Sequence, residues 1–138
     1  MVSKNYMGGK MPKLTIQGRT FDVKQGTRLV LAIEQNGIRI GHRCGGNARC
    51  TTCRVQFEAG EPQVMTKAEY NKLQDTNLYG HARLSCQIVC EHDMSLTPLM
   101  TAENQPEWNG DTGPEPAPVV TPEAVWFPKE ELRQKITR

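Results

Sequence analysis

The chain has 138 residues, with 17 Lys and Arg against 15 Asp and Glu and 37% hydrophobic residues, enough for one domain with a modest core. A mean hydropathy of −0.58, with no apolar run approaching the ~20 residues of a membrane span and no apolar leader, excludes a spanning helix and points to a soluble, cytoplasmic, monomeric protein. The near-neutral balance, with basic residues in one short patch and no aromatics among them, excludes a nucleic-acid binder.

Residues 1–10 lack periodicity and read as a flexible arm. Lys13 to Gln17 alternates polar and apolar, Gly18-Arg19 turns, and Thr20 to Lys24 alternates again, which predicts a hairpin. Thr27 offers an N-cap for a helix whose buried face carries Leu29, Val30 and Ile33 and which closes at Asn36-Gly37. Cys53 to Glu58 alternates as a strand. Thr66 and Glu69 form a capping box for a short helix from Lys67 to Gln74. Ala82 to Cys90 is largely apolar and reads as a central strand covered on both faces. Met94 to Leu99 reads as a final short strand.

Cysteines carry the chemistry. Cys44, Cys50 and Cys53 stand in Arg43-Cys44-Gly45-Gly46-Asn47-Ala48-Arg49-Cys50-Thr51-Thr52-Cys53, a C-x5-C-x2-C loop. Cys86 follows after 32 residues in Arg83-Leu84-Ser85-Cys86-Gln87-Ile88. Four thiolates suit a [2Fe–2S] cluster, two per iron, with a net charge of about −2 when oxidised. Its sulfurs need hydrogen-bond donors. Gly45 and Gly46 let the loop turn tightly enough to aim backbone N–H groups inward, and the Thr51 and Thr52 hydroxyls can add more. A structural zinc site takes the same four ligands, but zinc sites usually show two short knuckles and this loop has one, Cys50 to Cys53. Disulfides suit the pattern poorly, since five cysteines are odd in number. Cys90, four residues after Cys86, reads as a small core hydrophobe sharing its side of the strand, with a substitute-ligand role as the alternative.

The loop and the Arg-Leu-x-Cys-Gln segment resemble the [2Fe–2S] ferredoxins, over roughly 11–99. The five-residue first gap resembles the adrenodoxin-like or bacterial branch. That resemblance implies an α+β fold of the β-grasp type, a mixed sheet on one main helix. It also implies that Cys44 and Cys50 hold the iron nearer the surface and Cys53 and Cys86 the other. The implied function is one-electron carriage between a reductase or other low-potential donor and an acceptor enzyme, without substrate turnover. A cluster-bearing sensor, or an assembly or scaffold protein signalling through its tail, is the alternative.

Charge departs from the acidic pattern of familiar ferredoxins. Residues 1–60 hold ten basic and three acidic residues, and residues 61–138 hold seven and twelve. Arg39, His42, Arg43, Arg49 and Arg54 surround the cysteines in sequence and predict a basic rim that docks an acidic redox partner. The ferredoxin domain is expected over 11–100. A Pro-rich extension, 101–138, holds six of the nine prolines. Its Pro114 to Pro118 stretch reads as an extended linker and Pro128 to Arg133 as a short helix. Its aromatic residues, Trp108, Trp126 and Phe127, serve either to clamp the tail onto the body, the favoured use, or to dock a partner.

Overall fold

The computed structural model describes residues 11–101, 104–105 and 113–129. The predicted arm at 1–10, Trp108 and residues 130–133 of the predicted last helix lie outside them. Strands β1 (Lys13–Ile16) and β2 (Arg19–Asp22) form the predicted hairpin. Its turn falls on Gln17-Gly18, one residue earlier than expected, with φ of 52° and 84°. Left-handed backbone at both positions matches the twist of a two-residue hairpin.

Helix α1 (Leu29–Gln35) buries Leu29, Val30, Ala32 and Ile33 and stops at Asn36. Thr27 does not cap it. The Thr27 hydroxyl donates back to Lys24 O at 2.7 Å, and Arg28 takes the cap position without a side-chain cap bond. The open N–H of Leu29 instead donates to Ile88 O, 2.8 Å away.

Strand β3 (Arg54–Ala59) leaves the cysteine loop, and β4 (Val64–Thr66) leads into α2 (Lys67–Asp75). The Thr66 hydroxyl accepts from Glu69 N at 3.0 Å. The reciprocal half of the capping box is absent, because the Glu69 carboxylate turns to Arg83. Strands β5 (Arg83–Leu84) and β6 (Met94–Pro98) complete a five-stranded mixed sheet in the order β2-β1-β6-β3-β5. The β1–β6 pair is parallel and the others are antiparallel. Leu14, Ile16, Val55, Leu84 and Leu96 from the sheet and Leu29, Val30 and Ile33 from α1 belong to one buried core. This mixed sheet with one core helix is the β-grasp arrangement.

The sheet's centre is β6, not the segment from Ala82 to Cys90. That segment is buried from Ala82 to Ile88, yet only Arg83 and Leu84 pair as strand, at the sheet's edge, before a tight turn over Ser85–Gln87. Leu84, Cys86 and Ile88 of this segment join the core, while Arg83 is buried in an ion pair and Gln87 in a side-chain bond network. The turn also removes the strand alternation that put Cys90 beside Cys86. Cys90 is fully buried in the core. Its backbone pairs with Thr27 O and Gly26 N, both at 2.8 Å. Burial, helped by Glu91, pushes its thiol up to about 12.

The tail returns to the body. Strand β7 (Trp126–Pro128) pairs antiparallel with β4, Phe127 opposite Met65, so Pro128 ends a strand, and helical backbone begins at the next residue, Lys129. Backbone bonds from Lys67 N to Val125 O and from Lys129 N to Gln63 O, each 2.9 Å, extend the pairing. Phe127 packs on the core, whereas Val125 and Trp126 stay 50% and 41% exposed. At β7 the clamp therefore works through backbone pairing and the Phe127 ring, with Trp126 left outward. The Pro-rich stretch is no free linker, since Pro116 is buried against the cysteine loop.

Candidate metal centre

The loop between α1 and β3 has almost no regular structure, and its shape follows from hydrogen bonds to sulfur. Cys44 Sγ accepts from Asn47 N at 3.3 Å and Arg49 N at 3.4 Å. These bonds require the chain to curl around the sulfur. Gly45, Gly46 and Ala48 supply the curl with φ of 72°, 84° and 57°. A Cβ on Gly46 would also lie 2.8 Å from Arg28 Nη2, so a side chain there is excluded on two grounds. The loop base is closed by Arg43 N donating to Thr52 Oγ1 at 3.0 Å.

Cys86 reaches the loop through the β3–β5 pairing, in which Arg54 faces Leu84. Ser85 locks the approach, its N–H and hydroxyl donating to Cys53 O at 3.2 and 2.7 Å. The four thiols then fall into two pairs, Cys44 with Cys50 and Cys53 with Cys86, each in hydrogen-bond reach. Cys53 and Cys86 are buried, and Cys44 and Cys50 are half-buried.

Electrostatics favour the thiolate at Cys86 and Cys44 and oppose it at Cys53. The hydrogen bond with Cys53 holds the Cys86 thiol below the usual range against burial, with help from Gln87, Ala48 N and Arg28. The Cys53 thiol, which shares that bond, is pushed up by it and by burial. Burial raises Cys44, but the N–H groups of Arg49, Asn47 and Cys50 and the Cys50 thiol more than offset it. Backbone N–H groups thus point at Cys44, at Cys53 (from Cys86) and at Cys86 (from Ala48), as a thiolate-bound anionic centre requires. Thr52 Oγ1 lies 3.2 Å from Cys50 Sγ, and Gln87 Nε2 lies 3.6 Å from Cys86 Sγ. The donor set and its spacing in the fold fit a [2Fe–2S] group.

Not every expected residue serves the thiols. The Thr51 hydroxyl accepts from Arg54 Nη1 at 2.9 Å. Arg54 is thereby committed to Thr51. His42 leaves the basic rim, being 1% exposed and bonded to Glu34 Oε2 at 2.6 Å. Arg39, Arg43 and Arg49 are exposed.

Two features are not expected from the sequence. One is Arg28, 1% exposed, whose Nε donates to Cys86 O at 2.7 Å and whose Nη2 donates to Gly46 O. A charged residue four before Ala32 on the apolar stripe of a helix is the signal that marks it. The other is the strap, residues 113–121, which crosses the loop. A Cβ on Gly113 would meet Arg43 Cα at 2.7 Å, and Pro114 and Pro116 sit over Gly45 and Gly46. Glu115 of the strap gathers with Glu34 and His42, their polar atoms within 4.8 Å of one another.

Comparison with known proteins agrees with this geometry. Residues 14–91 match the 2Fe-2S iron-sulfur cluster binding domain. The Na(+)-translocating NADH-quinone reductase of Chlamydia pneumoniae has a component that is 36% identical over 93 residues, 66% of this chain and 21% of the relative. The corresponding component in Methylococcus capsulatus is 29% identical over 94 residues, 68% of this chain and 23% of the relative. The chain thus spans about a fifth of the length of these curated relatives. Among solved structures, the ISC-like [2Fe-2S] ferredoxin of Pseudomonas putida aligns with a TM-score of 0.50 at 24% identity, over 63% of this chain and 91% of that one. The cytochrome P450 reductase of Amycolatopsis aligns at 0.51 and 21%, over 64% and 26%. At these identities the two structures support the fold. No helix among the described residues is long and apolar enough to cross a membrane.

Proposed function

This chain belongs to the 2Fe-2S iron-sulfur cluster binding domain family, and from that premise we infer that it carries single electrons between a donor such as a reductase and an acceptor enzyme. The cluster, when bound, supplies one-electron chemistry. We assign its ligands to Cys44 and Cys50 for one iron and Cys53 and Cys86 for the other. The observation that carries the assignment is the convergence of the four thiols, Cys44 on Cys50 and Cys53 on Cys86, with the N–H groups of Asn47 and Arg49 aimed at Cys44 and the Thr52 hydroxyl at Cys50. The C-x5-C-x2-C gap supports placement in the adrenodoxin-like or bacterial branch.

The chain's own residues hold the site in one geometry and limit access to it. N–H groups of the loop offset negative charge on the sulfurs, so little rearrangement accompanies a change of that charge. Cys53 and Cys86 are sealed in the core, while Cys44 and Cys50 reach the surface, which makes their side the exit for electrons. Exposed Arg43 and Arg49 flank it and suit an acidic, briefly docked protein partner. Our reading is of a cytoplasmic monomer with an 11–100 carrier domain and a tail from 101 that returns to it.

The test is a ligand series. Cys44→Ser, Cys50→Ser, Cys53→Ser and Cys86→Ser each lose iron and labile sulfide, while Cys90→Ser keeps both. Iron retained in all four, or lost in Cys90→Ser, overturns the assignment. A second reading, a sensor signalling through its tail, draws on the contact between strap and loop. It requires the strap's hydrogen exchange to differ between oxidised and reduced protein.

A further inference from the structure

Arg28 joins three segments that are distant in sequence. Its Nε binds Cys86 O at 2.7 Å and its Nη2 binds Gly46 O. Its Nη1 binds Ala117 O of the strap at 2.9 Å, and Nη2 lies 3.4 Å from both Thr121 O and Thr121 Oγ1. Gln87 runs a second tie alongside, its Nε2 donating to Thr121 O at 2.6 Å and to Gly46 O at 3.3 Å. The loop, the Cys86 segment and the strap therefore meet on one guanidinium.

We propose that Arg28 is a positioning residue with two linked tasks: it is the fixed countercharge of the cysteine-bound group, and it is the clasp that holds the strap 113–121 over the loop. Loading of the site and closure of the strap then stabilise each other. The proposal rests on the ligand assignment above.

Charge is the first argument. No carboxylate among the described residues pairs with Arg28. Carbonyls satisfy its N–H groups but carry no net charge, and a buried cation without an anion is strongly unfavourable. Its Nε sits on the carbonyl of Cys86 and its Nη2 on that of Gly46, so the groups beside it that can become anions are the thiols of the loop and of Cys86. Four thiolates with their irons leave a net negative centre there.

Shape is the second. A planar fork with five donors can serve the loop and the strap together, which a lysine ammonium cannot. The strap in turn closes on Gly46, where a Cβ would meet Pro116 Cβ at 3.0 Å as well as Arg28. Because both the bound group and the strap favour the same loop geometry, each raises the other's stability by the same factor.

Hydrogen exchange of peptides covering 113–121, cluster loss to an iron chelator, and the midpoint potential test this on the full chain. The comparison set is wild type with and without cluster, Arg28→Lys, Arg28→Gln, and Leu14→Ala as a core-cavity control. In loaded wild type the strap is protected, and removing the cluster raises its exchange. Arg28→Gln raises strap exchange and speeds cluster loss, each about tenfold or more, since hydrogen bonds to a charged group are strong. It also lowers the midpoint. Arg28→Lys opens the strap but stays near the wild-type midpoint. Leu14→Ala lowers thermal stability and leaves the strap protected. Equal strap exchange with and without cluster overturns the proposal even if Arg28→Gln does not fold. So does an Arg28→Gln strap as protected as wild type. A wild-type chain that never shows a [2Fe–2S] spectrum defeats the ligand assignment instead.

Discussion

Two arginines are buried among the described residues, and they are built into opposite settings. Arg83, 4% exposed, meets Glu69 with Nε at 2.7 Å and Nη2 at 3.1 Å, and Glu61 with Nη1 at 3.2 Å. Its remaining donors reach Pro62 O and Val64 O, both at 2.9 Å. Arg28, equally buried, meets carbonyls and a hydroxyl. The region around Arg83 is neutralised by its own chain and is a structural staple. The region around Arg28 holds a cation with no carboxylate partner among the described residues, beside the cysteine loop. The same pair anchors the returning tail at two places. Arg28 grips residues 117 and 121, while Arg83 orders the segment 61–64 against which β7 and Lys129 dock.

The largest effect separating the two belongs to Arg83. Removing Glu69 leaves a buried guanidinium with its main anion gone. Glu69→Ala is therefore expected to destabilise the fold by about 3–5 kcal/mol, read by thermal or denaturant unfolding, whether or not iron is bound. Loss of much less than this would mean that the pair is not sealed from water. Arg28→Gln, by contrast, should destabilise the loaded protein more than the iron-free one. Equal losses in the two would erase the distinction between the settings.

Cutting the tail comes next. A chain ending at Met100 lacks β7 and the strap. Phe127 is the one ring of the pairing that packs on the core, and a fully buried ring contributes about 1.5–3 kcal/mol. After the cost of ordering the tail, a net loss of roughly 1–3 kcal/mol is expected, seen as a lower Tm with the visible spectrum retained. An unchanged Tm would show that the strap and β7 rest on the body without stabilising it.

Acidity separates the regions further. Burial raises Glu61, but the Lys129 ammonium and then Arg83 outweigh it and hold its carboxyl below 4.5, the ordinary value. The folded state thus favours charged Glu61. Its contribution is present above the unfolded value and fades as pH falls through the folded one. Glu61 is 37% exposed and bonded to Lys129 Nζ at 2.6 Å, so solvent screening keeps the gain under about 1 kcal/mol. The gap in Tm between wild type and Lys129→Ala should shrink below about pH 4.5. A gap that is flat with pH would exclude this ion pair as an anchor of β7.

The smallest effect concerns the rim. Arg49 is exposed beside Cys50, and a nearby cation favours the more negative form of the centre. Arg49→Gln should lower the midpoint by about 10–40 mV at low salt, less at high salt, while keeping its iron. A rise would mean that this arginine points away from the site.

Much of the site was legible because metal ligation constrains spacing directly. Cys44, Cys50, Cys53 and Cys86 come together, and Gly45 and Gly46 take the left-handed backbone expected of them. The hairpin, α1, β3 and α2 follow their periodicity to within a residue or two. What was illegible depends on side chains finding partners far along the chain. The burial of 82–90 read as a central strand because apolarity does not say what covers a residue. Glu69 completes a local capping pattern in the sequence, yet Arg83, 14 residues later, offers a bidentate partner that a cap cannot match. Thr27 lost its cap role because Ile88 O already satisfies the helix. The strap escaped notice because proline-rich composition signals extension, and an extended segment lies as readily along a protein surface as in water.

The central claim is that the four cysteines hold a centre accepting one electron, and a reductive titration followed by absorption and electron paramagnetic resonance tests it most directly. The account predicts a coloured protein with about two irons and two labile sulfides per chain. It is silent in the resonance experiment when oxidised and gives one unpaired spin per chain on one-electron reduction. A colourless protein holding one zinc per chain, or an iron protein whose spin does not appear on reduction, would contradict it.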